Sequence, residues 1–181
     1  KKDHPNARIC FIGPCSAKKL EANRKAVRSD VDFVLTFEEL QGMFDAKDID
    51  FATLETTPED EMVEGSTMAR GFAMGGGVAA AVVEAVHHID PSVQMKFMAA
   101  EGLRDCRKML LLAKTGRYDG YLLEGMACPG GCVAGAGTIQ PIKDSQKNVE
   151  TFKAQAAEKS TTASPYLDRL EGVAERGPKQ H

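Results

Sequence analysis

Two cysteines, Cys128 and Cys132, stand four positions apart in the segment EGMACPGGC. One proline and two glycines lie between them, and glycine lets the backbone bend and approach a neighbouring group closely. Thiolates are metal ligands, and a helical conformation of this segment would put both sulfurs on one face. The pattern is therefore typical of a metal site, because two thiols in an exposed loop without a metal would only be targets for oxidation.

A third cysteine, Cys15, stands where a strand is expected to end and a helix to begin. The run RICFIGP (8–14) is mostly apolar and closes with Gly-Pro, which is typical of a buried strand. The next segment, SAKKLEANRKA (16–26), is rich in helix formers and has Ser16 as its expected N-cap. Sites in open α/β sheets form beyond the carboxyl ends of strands, so we expect Cys15 to converge with the pair described above.

Three interpretations of these cysteines are open from the residues alone. Iron-sulfur clusters are usually held by four cysteine thiolates, and nearby glycines let backbone amides approach the cluster. Zinc sites favour two pairs of closely spaced ligands, and this chain has one such pair. Buried, inert thiols are the third possibility, which we also expect for Cys10 in a predicted strand and Cys106 in a predicted helix.

Composition limits the remaining classes of function. The chain has 181 residues, 43% of them hydrophobic, and a formal net charge of −3, which offers no basic footprint for nucleic acid. It contains no apolar stretch long enough to cross a membrane, and its N-terminus lacks the apolar core of a secretory signal. Five cysteines are an odd number without a regular framework of spacings. We therefore expect a cytoplasmic protein with reduced thiols.

Strands alternate with helices along the chain. Strands are expected at 8–14, 31–36, 93–100 and 118–126, and helices at 16–26, 37–46, 71–89, 103–116 and 143–160. Thr36 followed by Glu39 is a capping-box pattern, and the acidic segment 52–68 is expected to be a loop. This order predicts an α/β layered fold with a parallel sheet of about four strands flanked by helices. We expect an α/β lobe at 1–141 and a helical extension at 142–181 that ends in a disordered tail, GPKQH.

Two long motifs resemble the FeFe-hydrogenases. FIGPCSAKKLEA (11–22) is similar to the second signature of that family, a proline-cysteine followed by a lysine three residues after the cysteine. EGMACPGGCVAGAGTIQP (124–141) is similar to the third signature. VDFVLTFEEL and GFAMGGGVAAAV also resemble the segments between those signatures, so the resemblance spans about residues 8–141.

The resemblance implies a specific cofactor, the H-cluster, in which a 4Fe-4S cubane is bridged by a cysteine to a two-iron subsite. Cys15 and Cys128 match cubane ligands, and Cys132 matches the bridging ligand. Lys18 matches a lysine that hydrogen-bonds a cyanide ligand, and Met126 matches a methionine beside the two-iron subsite. The remaining signature residues expected to contact the cofactor are Pro14, Ser16 and Gly131. On composition alone Lys18 would be an ordinary solvated helix residue.

The departures from the family pattern shape the functional prediction. The first signature, which contributes a further cubane ligand and a proton-relaying cysteine, is absent, so we expect a fragment whose cluster site faces a missing N-terminal lobe. We expect this fragment alone to lack the cofactor and to be inactive. Gly13 and the run GAGTIQP differ from the usual residues and resemble the divergent, sensory branch.

The function implied by the resemblance is the interconversion of protons, electrons and dihydrogen by an iron-only hydrogenase domain. Its implied partners are the missing lobe and a redox partner such as ferredoxin, or flanking iron-sulfur or sensory domains. The alternative is a sensory or redox-responsive module with little turnover. A role in iron-sulfur handling is a weaker third possibility, since a cyanide-contacting Lys18 has no purpose without the two-iron subsite.

Overall fold

Four short parallel strands form two pairs in the computed structural model, which describes residues 4–24, 30–60, 64–165 and 167. In the first strand pair, β1 (Cys10–Gly13) lies beside β2 (Phe33–Thr36), with Cys10 opposite Phe33. In the second strand pair, β3 (Lys96–Glu101) lies beside β4 (Tyr121–Met126), with Lys96 opposite Tyr121.

Each strand pair is connected by one helix. Helix α1 (Ala17–Asn23) lies between β1 and β2, and α5 (Leu103–Ala113) lies between β3 and β4. The parallel α/β class is confirmed, but the strands of the described residues make two sheets rather than one of about four strands. Loop backbone of the two pairs is in contact, because the N–H of Gly137, which follows β4, donates to the carbonyl oxygen of Pro14, which follows β1, at 2.9 Å.

The two expected N-caps have different outcomes. Thr36 begins α2 (Phe37–Asp45) with a complete capping box, in which its hydroxyl accepts the Glu39 N–H at 3.2 Å and the Glu39 carboxylate accepts the Thr36 N–H at 2.9 Å. Ser16 does occupy the N-cap position of α1. Within the described residues, however, its side chain accepts no capping hydrogen bond.

Three further helices complete the described part of the chain. Helix α3 (Thr67–Arg70) begins inside the segment expected to be a loop, and α4 (Gly77–Ile89) begins six residues later than expected. The residues before α4 form a 3-10 turn (Gly71–Ala73) and then a bend, where Gly76 has a φ of 81°. Helix α6 (Ile142–Ala154) packs against α3 and that 3-10 turn. The expected tail at 177–181 lies outside the described residues.

Small side chains allow α4 to pack closely on the second strand pair. The buried apolar side chains of the described residues are Ala79, Ala81, Met109 and Val133. Two of these are alanines on α4, which contacts both β3 and β4. The run of small residues therefore brings the first turn of α4 close to the end of β4, where the cysteines follow.

Candidate metal centre

Cys15 lies in the turn that joins the first strand to the first helix. It follows Gly13 and Pro14 at the carboxyl end of β1, and its thiol is half-buried. Its carbonyl oxygen accepts the N–H of Lys18 at 3.3 Å, which begins the first turn of α1. Ser16 is exposed in the same turn. The strand end therefore presents Cys15 and Lys18 from neighbouring positions.

Cys128 and Cys132 lie in the segment that follows β4, residues 127–137, which we call the cysteine loop. Residues 128–131 form a tight turn rather than a helix, and the N–H of Gly131 donates to the carbonyl oxygen of Cys128 at 3.0 Å. Gly130 and Gly131 have φ angles of 98° and 84°, a region that residues with side chains rarely adopt. The glycines predicted from the sequence as points of bending are thus required by the backbone conformation.

The cysteine loop packs directly on the Cys15 turn. A methyl group on Gly135 would overlap the carbonyl oxygen of Pro14, and one on Gly137 would overlap the side chain of Thr36. A methyl group on Gly131 would lie 2.7 Å from the carbonyl oxygen of Ala73. This backbone-to-backbone contact brings Cys132 beside Cys15, although the two lie far apart in the sequence.

The charges around Cys132 show which groups share its surroundings. Partial burial raises the pKa of the Cys132 thiol, and negative charge on Cys15, Cys128 and Glu124 raises this pKa further. The ammonium group of Lys18 acts in the opposite direction and lowers the pKa. The expected ligands and the expected lysine therefore interact electrostatically in one region.

The three thiols fit a cluster better than a single ion. A zinc ion needs ligands that converge within about 2.3 Å of one point. Within the described residues, no three His, Cys, Asp or Glu side chains converge in this way. An iron-sulfur cluster spreads its thiolate ligands over several irons, and its cationic irons would relieve the repulsion between Cys15, Cys128 and Cys132. The region therefore offers three thiols, the ligand type that iron-sulfur clusters take.

Lys18 and Met126 occupy positions at the edge of this region. The ammonium group of Lys18 forms an ion pair with Glu21, with Nζ at 2.7 and 2.9 Å from the two carboxylate oxygens. Met126 is the last residue of β4, and its carbonyl oxygen accepts the Gly102 N–H at 2.8 Å. The thiol of Cys106 donates to the same carbonyl oxygen at 3.5 Å, whereas Cys10 is exposed on β1.

Two carboxylates that sequence reasoning missed hold the surroundings of the cysteine loop. Glu124 accepts the N–H groups of Gly76 and Ala79 at 2.8 and 2.6 Å, and thereby caps the N-terminus of α4. Glu101 accepts the N–H of Gly130 at 2.9 Å. Glu124 is an acidic residue within an otherwise apolar strand, and Glu101 ends a strand in which the four preceding residues are apolar. That contrast was the available signal, because a charge at such a position normally has a bonding partner.

A mostly apolar cavity of about 320 Å³ lies beside Cys132, between the cysteine loop and α6. Its lining includes Pro14, Ala73, Val133 and Val149. Cys132 therefore borders an apolar surface, although the residue itself is exposed. Within the described residues, none of the helices has both the length and the apolar character needed to cross a membrane.

Residues 1–136 match the family described as the C-terminal domain of the iron only hydrogenase large subunit. The periplasmic Fe hydrogenase large subunit of Nitratidesulfovibrio vulgaris is 31% identical over 173 residues, which cover 78% of this chain and 41% of that protein. The cytosolic iron-sulfur assembly component 3 of Rattus norvegicus is 28% identical over 165 residues, which cover 71% of this chain and 35% of that protein. The chain thus spans about two fifths of the length of these relatives.

Solved structures share the fold. An FeFe-hydrogenase structure that describes stepwise H-cluster assembly superposes with a TM-score of 0.66 and 19% identity, over 96% of this chain and 60% of that chain. An apo FeFe-hydrogenase from Chlamydomonas reinhardtii gives a TM-score of 0.65 and 19% identity over the same shares of the two chains. At this identity the likeness establishes the arrangement of strands and helices.

Proposed function

The chain belongs to the family formed by the C-terminal domain of iron-only hydrogenase large subunits, and from that membership we propose that it forms a cluster-binding lobe of a hydrogenase-like domain. The observation that carries this proposal is the packing of the cysteine loop on the Cys15 turn. Gly135 and Gly137 bring backbone against backbone there, so the segments that carry Cys15 and Cys132 lie against each other. A structural role for the cysteines would not require this approach.

In the proposed function, Cys15 and Cys128 hold a 4Fe-4S cubane and Cys132 links it to a two-iron subsite. The bound cofactor would supply the chemistry that interconverts protons and electrons with dihydrogen. The chain's own residues bind and orient it. An apolar cavity lies beside Cys132, and Met126 ends the strand that leads into the cysteine loop.

Lys18 would provide a hydrogen-bond donor to the cofactor. Its ammonium group pairs with Glu21, and its charge also lowers the pKa of Cys132. An ammonium group has three donors, so it can keep one bond to Glu21 while it donates another to an anionic ligand. Pro14, Ser16 and Gly131 lie in the two turns that carry the cysteines and would contact the same group.

A fourth cubane ligand would come from an N-terminal lobe of the same polypeptide, and electrons from a redox partner such as ferredoxin or a flanking domain. In this proposal the lobe 1–141 carries the cluster ligands and 142–181 is an extension. A cytoplasmic location also stays a prediction, because the names of the relatives include both periplasmic and cytosolic proteins.

Iron-sulfur assembly is a second candidate function. It is favoured by the names of several relatives, including the rat protein and a probable cytosolic Fe-S cluster assembly factor of Aedes aegypti, which is 28% identical. A sensory module with little turnover is the third. All three require the cubane, whereas only the hydrogenase and the sensory module require the two-iron subsite.

The first experiment measures iron and acid-labile sulfide after anaerobic reconstitution of this chain and of a polypeptide extended upstream. We expect about four irons and four sulfides per extended chain, and far fewer in the chain alone. Cys15→Ser should abolish this uptake, whereas the matched variant Cys10→Ser should not, because Cys10 begins β1 and Cys15 follows its carboxyl end. An extended polypeptide without iron would contradict the proposal.

A hydrogen assay after maturation then separates the candidates. Turnover by the extended polypeptide supports the hydrogenase. A loaded two-iron subsite with little turnover supports the sensory module, and a cubane alone supports assembly.

A further inference from the structure

Glu101, the last residue of β3, reaches the turn that separates Cys128 from Cys132. Its carboxylate accepts the N–H of Gly130 at 2.9 Å. From the other side, the side-chain amide of Gln146 on α6 donates to the carbonyl oxygen of Gly130 at 3.5 Å. The peptide groups before and after Gly130 are therefore each held by a different element of the fold.

The structure leaves a slot for this carboxylate. A methyl group on Gly75 would overlap a carboxylate oxygen of Glu101, so the absence of a side chain at Gly75 makes the approach possible. Gly131 packs on the same bend, where a methyl group would lie 2.7 Å from the N–H nitrogen of Gly75. Glu101 thus lies half-buried between the bend before α4 and the cysteine loop.

We propose that Glu101 is a positioning residue that fixes the separation of Cys128 and Cys132 for cluster binding. This inference rests on the proposed function. A segment with two adjacent glycines has many accessible backbone conformations, and Gly130 is held at a φ of 98°. A hydrogen bond from a backbone amide to a carboxylate is stronger than one between neutral groups. Glu101 therefore selects one conformation of an intrinsically flexible connection between two ligands.

The test compares Glu101→Met, which keeps the length of the side chain but accepts no hydrogen bond, with Glu101→Gln, which retains an acceptor oxygen. Asp105→Ala is the matched control, because Asp105 is a carboxylate in the cleft that Glu101 also lines, and it faces Arg104 at 3.9 Å. All variants are made in the full-length polypeptide. Two quantities are measured: hydrogen exchange of the Gly130 amide in the reduced, metal-free protein, and iron per chain after reconstitution.

We expect the Gly130 amide to exchange about ten- to a hundredfold faster in Glu101→Met, since a hydrogen bond to a charged group is lost. We expect Glu101→Gln to restore most of the protection and the iron content, and Asp105→Ala to resemble the wild type. Rescue by Gln distinguishes positioning through Gly130 from a general loss of stability.

Unchanged exchange and unchanged iron in Glu101→Met would overturn the inference. Wild-type protein that takes up no iron would overturn the proposed function instead, and the exchange data would still report whether Glu101 holds Gly130. If Glu101→Met does not fold, Gln146→Ala removes the longer of the two contacts with Gly130 and should change exchange and iron in the same direction, by a smaller factor. No change in Gln146→Ala would then count against positioning through Gly130.

Discussion

The two strand pairs position their cysteines in different ways. In the first, Cys15 follows β1 in an ordinary strand-to-helix turn, which is closed by a local hydrogen bond from the Lys18 N–H to the Cys15 carbonyl oxygen. In the second, Cys128 and Cys132 lie in a loop with two glycines at positive φ, held by Glu101 from β3. The first region is specified by neighbours in the chain, whereas the second depends on residues that are distant in the sequence.

This difference predicts which part of the site is most sensitive to substitution. A local turn forms wherever its own residues favour it, but the cysteine loop needs β3, α4 and the Cys15 turn to be in place together. At its contact with that turn, Gly135 and Gly137 have no side chain, and there is no room for an added methyl group at either position. Substitutions in the second region should therefore lower the free energy of unfolding more than comparable substitutions in the first.

The largest expected effect is at the contact between the two regions. Gly135 has a φ of −62°, which alanine can adopt, so Gly135→Ala tests only the overlap with the carbonyl oxygen of Pro14. We expect the free energy of unfolding to fall by about 3 kcal/mol, measured by urea denaturation, because backbone cannot yield as a side chain can.

Gly42→Ala is the control for this change. Gly42 lies in α2, where an added methyl group meets nothing within 4 Å. We expect this variant to be more stable by roughly 0.5–1 kcal/mol, since alanine favours a helix. Equal stability of Gly135→Ala and the wild type would show that the two regions do not meet as described.

A smaller effect is expected within the first region, where two N-caps can be compared. Thr36→Val keeps the shape of the side chain but removes the hydroxyl that accepts the Glu39 N–H, and should cost about 1 kcal/mol of unfolding free energy. Ser16→Ala should change it by less than about 0.5 kcal/mol, because the Ser16 side chain accepts no capping hydrogen bond in the described part of the chain. Equal costs would contradict the assigned caps.

The pH dependence of Cys132 tests whether thiols of both regions share one electrostatic environment. Its pKa is raised by partial burial and by the charges of Cys15 and Cys128, so its thiolate forms at higher pH than an ordinary thiol. The alkylation rate of Cys132 in the metal-free protein should therefore reach its midpoint at a higher pH than that of an unstructured cysteine peptide. The effect is modest, because Cys132 is exposed and solvent screens its neighbours.

Single variants give the sign of each contribution. Cys15→Ala should move the Cys132 midpoint to lower pH, because it removes a negative charge. The raised pKa also means that Cys132 adds stability below the pKa of the unfolded chain, and that this stability is lost as the pH rises through the folded value. A midpoint unaffected by Cys15→Ala would separate the two regions electrostatically.

Sequence reasoning succeeded where the determining interactions are local. Thr36 and Glu39 are three residues apart, and their capping box is present in the structure. The strand that precedes Cys15 was likewise predictable from one apolar run closed by Gly-Pro, but the expectation that it is buried is wrong, because Cys10, Phe11 and Ile12 are exposed. Ser16 shows the limit of this approach, because residue type and position were correct but its hydroxyl accepts no hydrogen bond within the described residues.

The rest depends on contacts between distant residues. A carboxylate in a strand reveals that a partner exists, but nothing local to Glu101 identifies Gly130 as that partner. The division into two sheets is of the same kind, because nothing local to one strand identifies the strands beside which it will pair. Such contacts depend on the packing of the whole chain. The hydrophobic periodicity of a single segment carries no information about them.

The smallest expected effect on stability is at Lys18. A substitution there tests whether Lys18 contacts the cofactor or is an ordinary solvated lysine. Lys18 and Glu21 are each about two fifths exposed, so their ion pair should contribute less than about 0.5 kcal/mol to the unfolding free energy. Lys18→Met should therefore fold normally. If Lys18 donates to an anionic ligand of the cofactor, this variant should bind the cubane but retain less of the two-iron subsite, measured as iron per chain after maturation.

Lys19→Met is the matched control, because Lys19 is the next residue of α1 and is also in an ion pair, with Glu39 at 2.7 Å. Its ammonium group contacts the carbonyl oxygen of Val34 at 3.2 Å, within the first strand pair. Equal subsite content in both variants would make Lys18 an ordinary solvated lysine. Loss of the two-iron subsite in Lys18→Met alone would show that the Cys15 turn contributes a contact to the cofactor. The first region, which depends on local contacts, would then complete a site whose second region depends on residues distant in the sequence.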